Sequence, residues 1–297
     1  LSALIIDGRT VSDSLKQKIR DQIRGLATRG IHPKLTAVLV GEDPASKVYI
    51  RNKEKACVET GIAHETLRLP ETTGEKELRQ IIERLNHDAS VSGILVQLPL
   101  PKHISEKTII NAMRPEKDVD CFHPYNVGQL MLGDAVFAPC TPAGVMELLH
   151  YYQIDPAGRH AVIVGRSNIV GKPLANLLVQ KAKGANAVVT LCHTGAKDLS
   201  QYTRQADILI AAVGKPRVIT ADMVKPGAVV IDVGINRIDD PSAQSGSRLV
   251  GDVDFESVKE IASAITPVPG GVGLMTVAVL MQNTVRAAEL LVRNNNL

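Results

Sequence analysis

Apolar and polar positions along this chain follow two periods, one of helix and one of strand, and the period switches repeatedly. Residues 11 to 29 carry the spacing of an amphipathic helix, and TAVLVG at 36 to 41 is an apolar run of strand length. VYIRNKEKACVETG at 48 to 61 returns to helical spacing. Asp43 suits the N-cap ahead of it, and Pro44 suits the first helical position, where a missing N–H leaves nothing unpaired. Gly61 suits the left-handed residue that closes a helix. Within this helix Arg51, Lys55 and Glu59 read as a solvated face, and Tyr49, Lys53, Ala56 and Cys57 as the core-facing stripe. HETLRLP at 64 to 70 reads as a strand. EKELRQIIERLNHD at 75 to 88 reads as a helix with Leu78, Ile81, Ile82 and Leu85 on one face. GILVQLPLP at 93 to 101 reads as a buried strand interrupted by prolines, and SEKTIINAM at 105 to 113 as a short helix capped by its serine. This succession predicts a parallel sheet covered by helices.

Residues 114 to 142 carry turn formers and little periodicity, which predicts a long irregular section. AGVMELLHYYQ at 143 to 153 reads as a helix leading into a second domain. That domain opens with a strand at Ala161 to Val164, then a glycine-rich turn and a helix. Further strands are expected at 187 to 194, 207 to 214, 228 to 235 and 263 to 268, a doubly wound pattern. PGGVGLMT at 269 to 276 reads as a glycine-rich loop, and the segment after it as a helix returning to the first domain. The expected boundaries are 1–142, 143–272 and 273–297.

Composition narrows the function classes. A chain of 297 residues favours two domains, and 44% hydrophobic with 22% charged residues favours packed cores over disorder. A net charge of +3, with aromatics at 3% and no Trp, gives no basis for a nucleic-acid partner. No run reaches the ~18 apolar residues of a membrane span, and LSALIIDGRT lacks the basic and long apolar regions of a signal peptide. Cys57, Cys121, Cys140 and Cys192 form no CxxC pair, which argues against zinc and disulfides and suits a reducing cytosol. His103, His123 and His193 are not spaced as metal ligands, so no metal site is expected.

Four features carry candidate chemistry. Lys53 puts an ammonium on a mostly apolar stripe, where it either snorkels to water or sits in a cleft with a task. Gln97 is a polar residue in an apolar strand, either a satisfied buried amide or a functional handle. Asp118 and Asp120 are candidate loop caps. GRSNIVGKP at 165 to 173 departs from G-x-G-x-x-G but keeps its physics. Gly165 allows a sharp turn at the strand end, and Gly171 and Pro173 bring a helix N-terminus close behind, a site for a diphosphate. The following strand ends Cys192, His193, Thr194 with no acid to grip a ribose 2′-hydroxyl, and Arg166 lies in the turn, which favours NADP over NAD. The prolines of QLPLP and TPVPGG fall at C-terminal strand ends, and one of these X-Pro bonds is expected to be cis.

Taken together, YIRNK at 49 to 53, GILVQLPLP, PEKDVD ahead of CFHPYNVG, PCTP at 139 to 142, VGRSNIVGKP, VIDVGIN, GDVDF and TPVPGGVG resemble one family. It is the bifunctional methylenetetrahydrofolate dehydrogenase/methenyltetrahydrofolate cyclohydrolase family of one-carbon metabolism. The resemblance implies an α/β fold of two domains, an N-terminal three-layer folate domain and a Rossmann-like NADP domain with a cleft between them. It implies a cytoplasmic homodimer acting on tetrahydrofolate substrates, with NADP as cofactor. Carried over by motif, Lys53, Gln97 and Asp120 are the expected catalytic residues. Tyr49, Val96, Leu98, Pro269, Gly270, Gly271, Gly273 and Thr276 are expected to bind substrate, and Gly165, Arg166, Ser167, Thr194 and Ile235 the cofactor. Two positions depart from the family pattern: Cys121 stands for the glycine of DVDG, and Leu274 for the proline of PGGVGPMT. If that glycine adopts positive φ, Cys121 carries a strain of order 1 kcal/mol. The alternatives are a monofunctional or NAD-using dehydrogenase of the same family, a shikimate-type dehydrogenase, and a non-catalytic NADP-sensing protein.

Overall fold

The structure is a computed structural model and describes residues 2–242 and 246–295. The first half of the chain forms β1 (Leu4–Ile5), α1 (Gly8–Ala27), β2 (Lys34–Val40), α2 (Pro44–Thr60), β3 (Ala63–Leu69), α3 (Glu75–His87), β4 (Gly93–Val96), α4 (Glu106–Ala112), α5 (Pro124–Leu132) and α6 (Cys140–Tyr151). The second half forms β5 (His160–Val164), α7 (Gly171–Val179), β6 (Val188–Cys192), α8 (Ser200–Thr203), β7 (Ile208–Ala211), β8 (Val229–Asp232), β9 (Asn236–Asp239), β10 (Ser247–Val250), α9 (Phe255–Val258), β11 (Ala264–Ile265) and α10 (Val272–Asn295). Two compact units result: the segment up to Asp13 with Thr141–Thr276, and Ser14–Cys140 with the segment from Val277 onward. The N-terminal residues thus leave the expected 1–142 block. Leu4 and Ile5 pair in parallel with Ala264 and Ile265, a two-residue strand too short to show a period.

The smaller unit is built on a parallel sheet ordered β3-β2-β4. Side chains alternate across a strand, so Val38, Val40, Ile94 and Val96 share one face, in a core with Leu78, Ile81 and Ile82 of α3 and Ile109 of α4. Leu35, Ala37, Leu39 and Leu95 are equally buried on the other face. Each buried aliphatic side chain contributes roughly 1.5–3 kcal/mol, against at most ~1 kcal/mol for an exposed ion pair, so the apolar stripe fixes α3. Lys117 is buried, and its Nζ donates to the carbonyls of Leu85 and Asp88 at 2.9 and 2.8 Å, closing the C-terminal end of α3. Burial holds that ammonium below the ordinary lysine value.

Helix α2 has the ends its sequence predicts. Asp43 accepts from the Ser46 amide at 2.7 Å, and Gly61 takes φ +85°. Its buried face differs from the expected stripe. Ile50, Ala56 and Cys57 are buried, whereas Tyr49 is 46% exposed and Lys53 half-buried. The section 114 to 142 is also more ordered than its weak periodicity suggests. α5 starts where His123 caps it and where Asp118, fully buried, accepts from the His123 amide and from Asn126 Nδ2 at 2.7 and 2.9 Å.

The larger unit holds a parallel sheet ordered β1-β11-β8-β7-β5-β6 among the described residues. The chain goes from β5 outward to β6, then crosses to β7 on the other side. The strand order therefore reverses at the carboxyl end of β5, where open α/β sheets bind ligands. Two features of this unit were not expected. β9 and β10 form an antiparallel pair, and α10 begins at Val272, inside the segment that reads as a loop. Val272 and Met275 are buried, which ties the helical start into the core.

Candidate active site

In the smaller unit, Lys53 projects from α2 and Gln97 follows β4. Lys53 Nζ donates to Gln97 Oε1 at 3.0 Å. Gln97 Nε2 donates to the carbonyl of Leu98 at 2.7 Å, and its amide donates to the carbonyl of Val38 at 2.9 Å. The side-chain amide is therefore held at both ends, and its oxygen is aimed at the lysine. The third member is Asp120, which lies beyond the Pro115–Lys117 turn. Burial pushes its carboxyl above the usual range, while the charge of Lys53 and a hydrogen bond from Cys140 pull the other way. Cys140 Sγ donates to Asp120 Oδ1 at 3.5 Å. Asn283 of α10, itself buried, donates from Nδ2 to the carbonyls of Val119 and Ala138 at 2.8 and 3.0 Å, fixing the backbone on either side of that pair.

The paired aspartates therefore divide. Asp118 is a cap, as its sequence position suggests, and Asp120 instead accepts from the Cys140 thiol. Tyr49 stands one turn before Lys53 with its ring exposed, free to meet a flat ligand. Val96 belongs to the core under β4, and Leu98 is partly buried against it. Both Leu98–Pro99 and Val268–Pro269 are cis. Cys121 takes φ +61°, the left-handed region that a glycine adopts without strain and a Cβ-bearing residue does not.

In the larger unit, Gly165 ends β5 with φ +134°, and a Cβ there would run into the carbonyl of Ala212 after β7. Gly171 packs equally closely on the carbonyl of Gly165. The amides of Val170 and Gly171 point to Ser167 Oγ at 3.1 and 3.4 Å, which leaves the Ser167 O–H free to donate outward. Arg166, Ser167 and Thr194 are all exposed, and no carboxylate stands among residues 193–197, which follow β6 directly. A tight glycine turn with a helix N-terminus behind it and the exposed side chains of Arg166 and Ser167 beside it is an arrangement that fits a dinucleotide diphosphate. Ile235, 46% exposed, lies against Gly273, where a Cβ would stand 2.9 Å from Ile235 Cδ1. The expected cofactor residue and the expected substrate loop therefore meet. Gly270 takes φ +113° and accepts from the Gly8 amide at 2.8 Å, while Gly271 is pressed between Gly8 and Pro267. Thr276 Oγ1 lies 3.0 Å from Thr141 Oγ1 and is half-buried. Pro269 is exposed, and Leu274, where the family has proline, donates its amide to the carbonyl of Gly271. Among the described residues no group of His, Cys, Asp and Glu is arranged to hold a metal.

This strand order and this turn at the switch point place the chain among dinucleotide-binding α/β enzymes. Comparison with known proteins narrows the class. Residues 139–292 match the family model described as tetrahydrofolate dehydrogenase/cyclohydrolase, NAD(P)-binding domain, and residues 6–120 the catalytic domain of the same family. The chain is 57% identical over 297 residues to the bifunctional protein FolD of Chlorobium limicola, covering 99% of each, and 56% identical over 287 residues to that of Exiguobacterium sibiricum, covering 97% and 100%. Among solved structures, FolD of Campylobacter jejuni is 48% identical, with a TM-score of 0.92 and full coverage of both chains. FolD of Trypanosoma brucei, solved with NADP and an inhibitor, is 37% identical, with a TM-score of 0.93 and 99% coverage of both. The chain belongs to the tetrahydrofolate dehydrogenase/cyclohydrolase family.

Proposed function

We propose that this chain oxidises 5,10-methylenetetrahydrofolate to 5,10-methenyltetrahydrofolate with NADP⁺ and then hydrolyses that product to 10-formyltetrahydrofolate. The observation that carries the reading is the Lys53–Gln97 hydrogen bond at 3.0 Å beside the desolvated carboxyl of Asp120. NADP⁺, when bound, takes up a hydride from the methylene carbon. The adjacent folate nitrogen stabilises the resulting cation, so the oxidation asks the protein mainly for orientation. Tyr49 offers a ring face to the substrate and Asp120 a carboxyl to the pterin. The backbone at Val96 and Leu98 and that from Pro269 to Thr276 shape the remaining contacts. Water attack on the methenyl carbon and the C–N cleavage after it need proton transfer at the reacting nitrogen. Lys53 Nζ performs it, with Gln97 Oε1 holding the amine in place.

For the cofactor, Gly165 and Ser167 line the diphosphate turn, and Ile235 contributes an exposed apolar contact. Arg166 and Thr194 pair a cation and a hydroxyl for the 2′-phosphate, since the strand end lacks the acid that NAD-type sites use. We further assign a homodimer. β6 is an edge strand of the larger sheet, and Val188 and Leu191 on it are 63% and 37% exposed, a surface suited to a second copy. Four buried, unpaired cysteines suit a reducing compartment such as the cytosol. Absorbance at the methenyl band, followed with NADP⁺ and with NAD⁺ in turn, tests the reading. A methenyl signal that forms with NADP⁺ and then decays is expected. Equal kcat/KM for the two nucleotides would remove Arg166 and Thr194 from their role.

A further inference from the structure

The GDVDF segment remains outside this account, and its first aspartate is placed unusually. Asp252 is fully buried and pairs with no Lys or Arg among the described residues. Its carboxylate accepts from three consecutive backbone amides instead. Oδ2 takes Val213 and Gly214 at 2.5 and 2.9 Å, and Oδ1 takes Lys215 at 3.1 Å. Oδ1 also accepts from Asn236 Nδ2 at 2.8 Å. One carboxylate thus joins the segment after β7 to the segment after β8. The first of these backs directly onto Gly165 through Ala212, and the second carries Ile235.

Asp252 is in turn held from behind. Asp232, at the end of β8, accepts the amides of Gly234 and Asp252 on Oδ1 at 3.0 and 2.9 Å and that of Val253 on Oδ2 at 2.9 Å. The glycines of this region follow from the same arrangement. A Cβ on Gly234 would enter the Asp252 carboxylate, and a Cβ on Gly251 the Asp232 carboxylate. Two buried acids in series therefore define one wall of the switch-point crevice, beyond the diphosphate turn, and neither faces the crevice itself.

We propose that Asp252 is a positioning residue for the dinucleotide, fixing residues 213–215 and 235–236 as one preformed wall without touching the reacting atoms. The proposal rests on the reading of the larger unit as an NADP site. It predicts a split that a general structural role would not give, because the hydrolytic step needs no nucleotide. Asp252→Asn puts an amide NH₂ against backbone N–H groups and leaves one acceptor oxygen for four donors. Asn236→Ala removes one of the four bonds and leaves the carboxylate.

Calorimetric titration of the full chain with NADP⁺ is expected to give a Kd raised at least tenfold in Asp252→Asn and two- to fivefold in Asn236→Ala. Hydrolysis of methenyltetrahydrofolate without nucleotide should stay within twofold of wild type in both variants. An unchanged Kd in Asp252→Asn overturns the proposal, as does an equal loss of NADP⁺ affinity and hydrolysis. If Asp252→Asn does not fold, Asn236→Ala decides by the same two measurements. A wild-type chain that binds NADP⁺ but hydrolyses no methenyl folate overturns the functional reading alone and leaves the affinity comparison to judge Asp252. A wild-type chain that binds no NADP⁺ overturns both.

Discussion

The smaller unit sets its candidate chemistry on side chains. An ammonium, an amide oxygen and a carboxyl of raised pKa come from three separate segments, and each is held by further side-chain or backbone bonds. The larger unit does the reverse. Its switch point is built on glycines whose backbone packs too closely for a Cβ, and its buried acids Asp232 and Asp252 hold backbone amides. The difference matches what each must do. Proton transfer needs a group of adjustable charge at one atom, whereas a diphosphate needs several N–H groups and room to approach them. A single substitution should therefore abolish a reaction in the first region and only shift an affinity in the second.

Lys53→Met is the largest expected effect and the sharpest test of that contrast. The thioether keeps the stem's volume but cannot move a proton or donate to Gln97 Oε1. Cyclohydrolase activity should fall by roughly 10²–10⁴-fold, the usual contribution of a positioned acid–base group, while part of the dehydrogenase activity survives. Stopped-flow decay of methenyltetrahydrofolate measures the first and NADPH formation the second. Hydrolysis at the wild-type rate would show that the proton is carried elsewhere, and the side-chain account of the smaller unit would fail with it.

The contrast also explains what the sequence makes legible. Lys53 and Gln97 stand out because each puts the wrong polarity on an apolar element, and Gly165 and Gly171 because their spacing has a physical purpose. The Cys140–Asp120 bond and the Asn283 clamp leave no such mark. They join residues 20 and more than 140 positions apart through a packing that no local period encodes. Helical spacing gives a stripe its angle but not its width, so it points Tyr49 inward where Ile50 takes the core position. α5 leaves no periodic mark because a tertiary bond to Asp118, not its own periodicity, secures its start. The role of Asp252 within GDVDF has no local sequence mark, because the amides it holds lie 37 to 39 positions away.

Buried acids that serve the backbone carry a second signature, in stability. Burial, the largest influence, raises Asp232 from 3.8 to about 6, against the three amides that favour its charged form. The folded state therefore binds this proton more tightly than the unfolded chain. Its contribution is complete below pH 4 and is lost as pH rises through 6, an amount on the order of 3 kcal/mol across that window. Asp232→Asn keeps an acceptor oxygen for Gly234 and Asp252 but does not titrate. Urea midpoints of wild type and variant, compared from pH 4 to pH 7.5, should diverge against the wild type as pH rises. Parallel curves would mean that the Asp232 carboxyl titrates alike in both states, and the view of these acids as desolvated struts would be lost.

The smallest expected effect concerns the departure at Cys121, next to Asp120. At φ +61° a side chain is strained by about 1 kcal/mol, yet this one is fully buried and its Sγ donates to the carbonyl of Phe137 at 3.4 Å. Substitution by glycine alone would mix strain relief with lost packing, two effects of similar size and opposite sign. The pair Cys121→Ala and Cys121→Gly separates them, since both lose the same sulfur. At an ordinary position alanine is the more stable of the two by roughly 0.5–1 kcal/mol. Here the order should reverse, with the glycine variant ahead by about 1 kcal/mol in denaturant unfolding. If alanine remained ahead, the left-handed backbone at 121 would carry no strain. The turn that presents Asp120 would then be set by its neighbours, with Asn283 holding the Val119 carbonyl first among them.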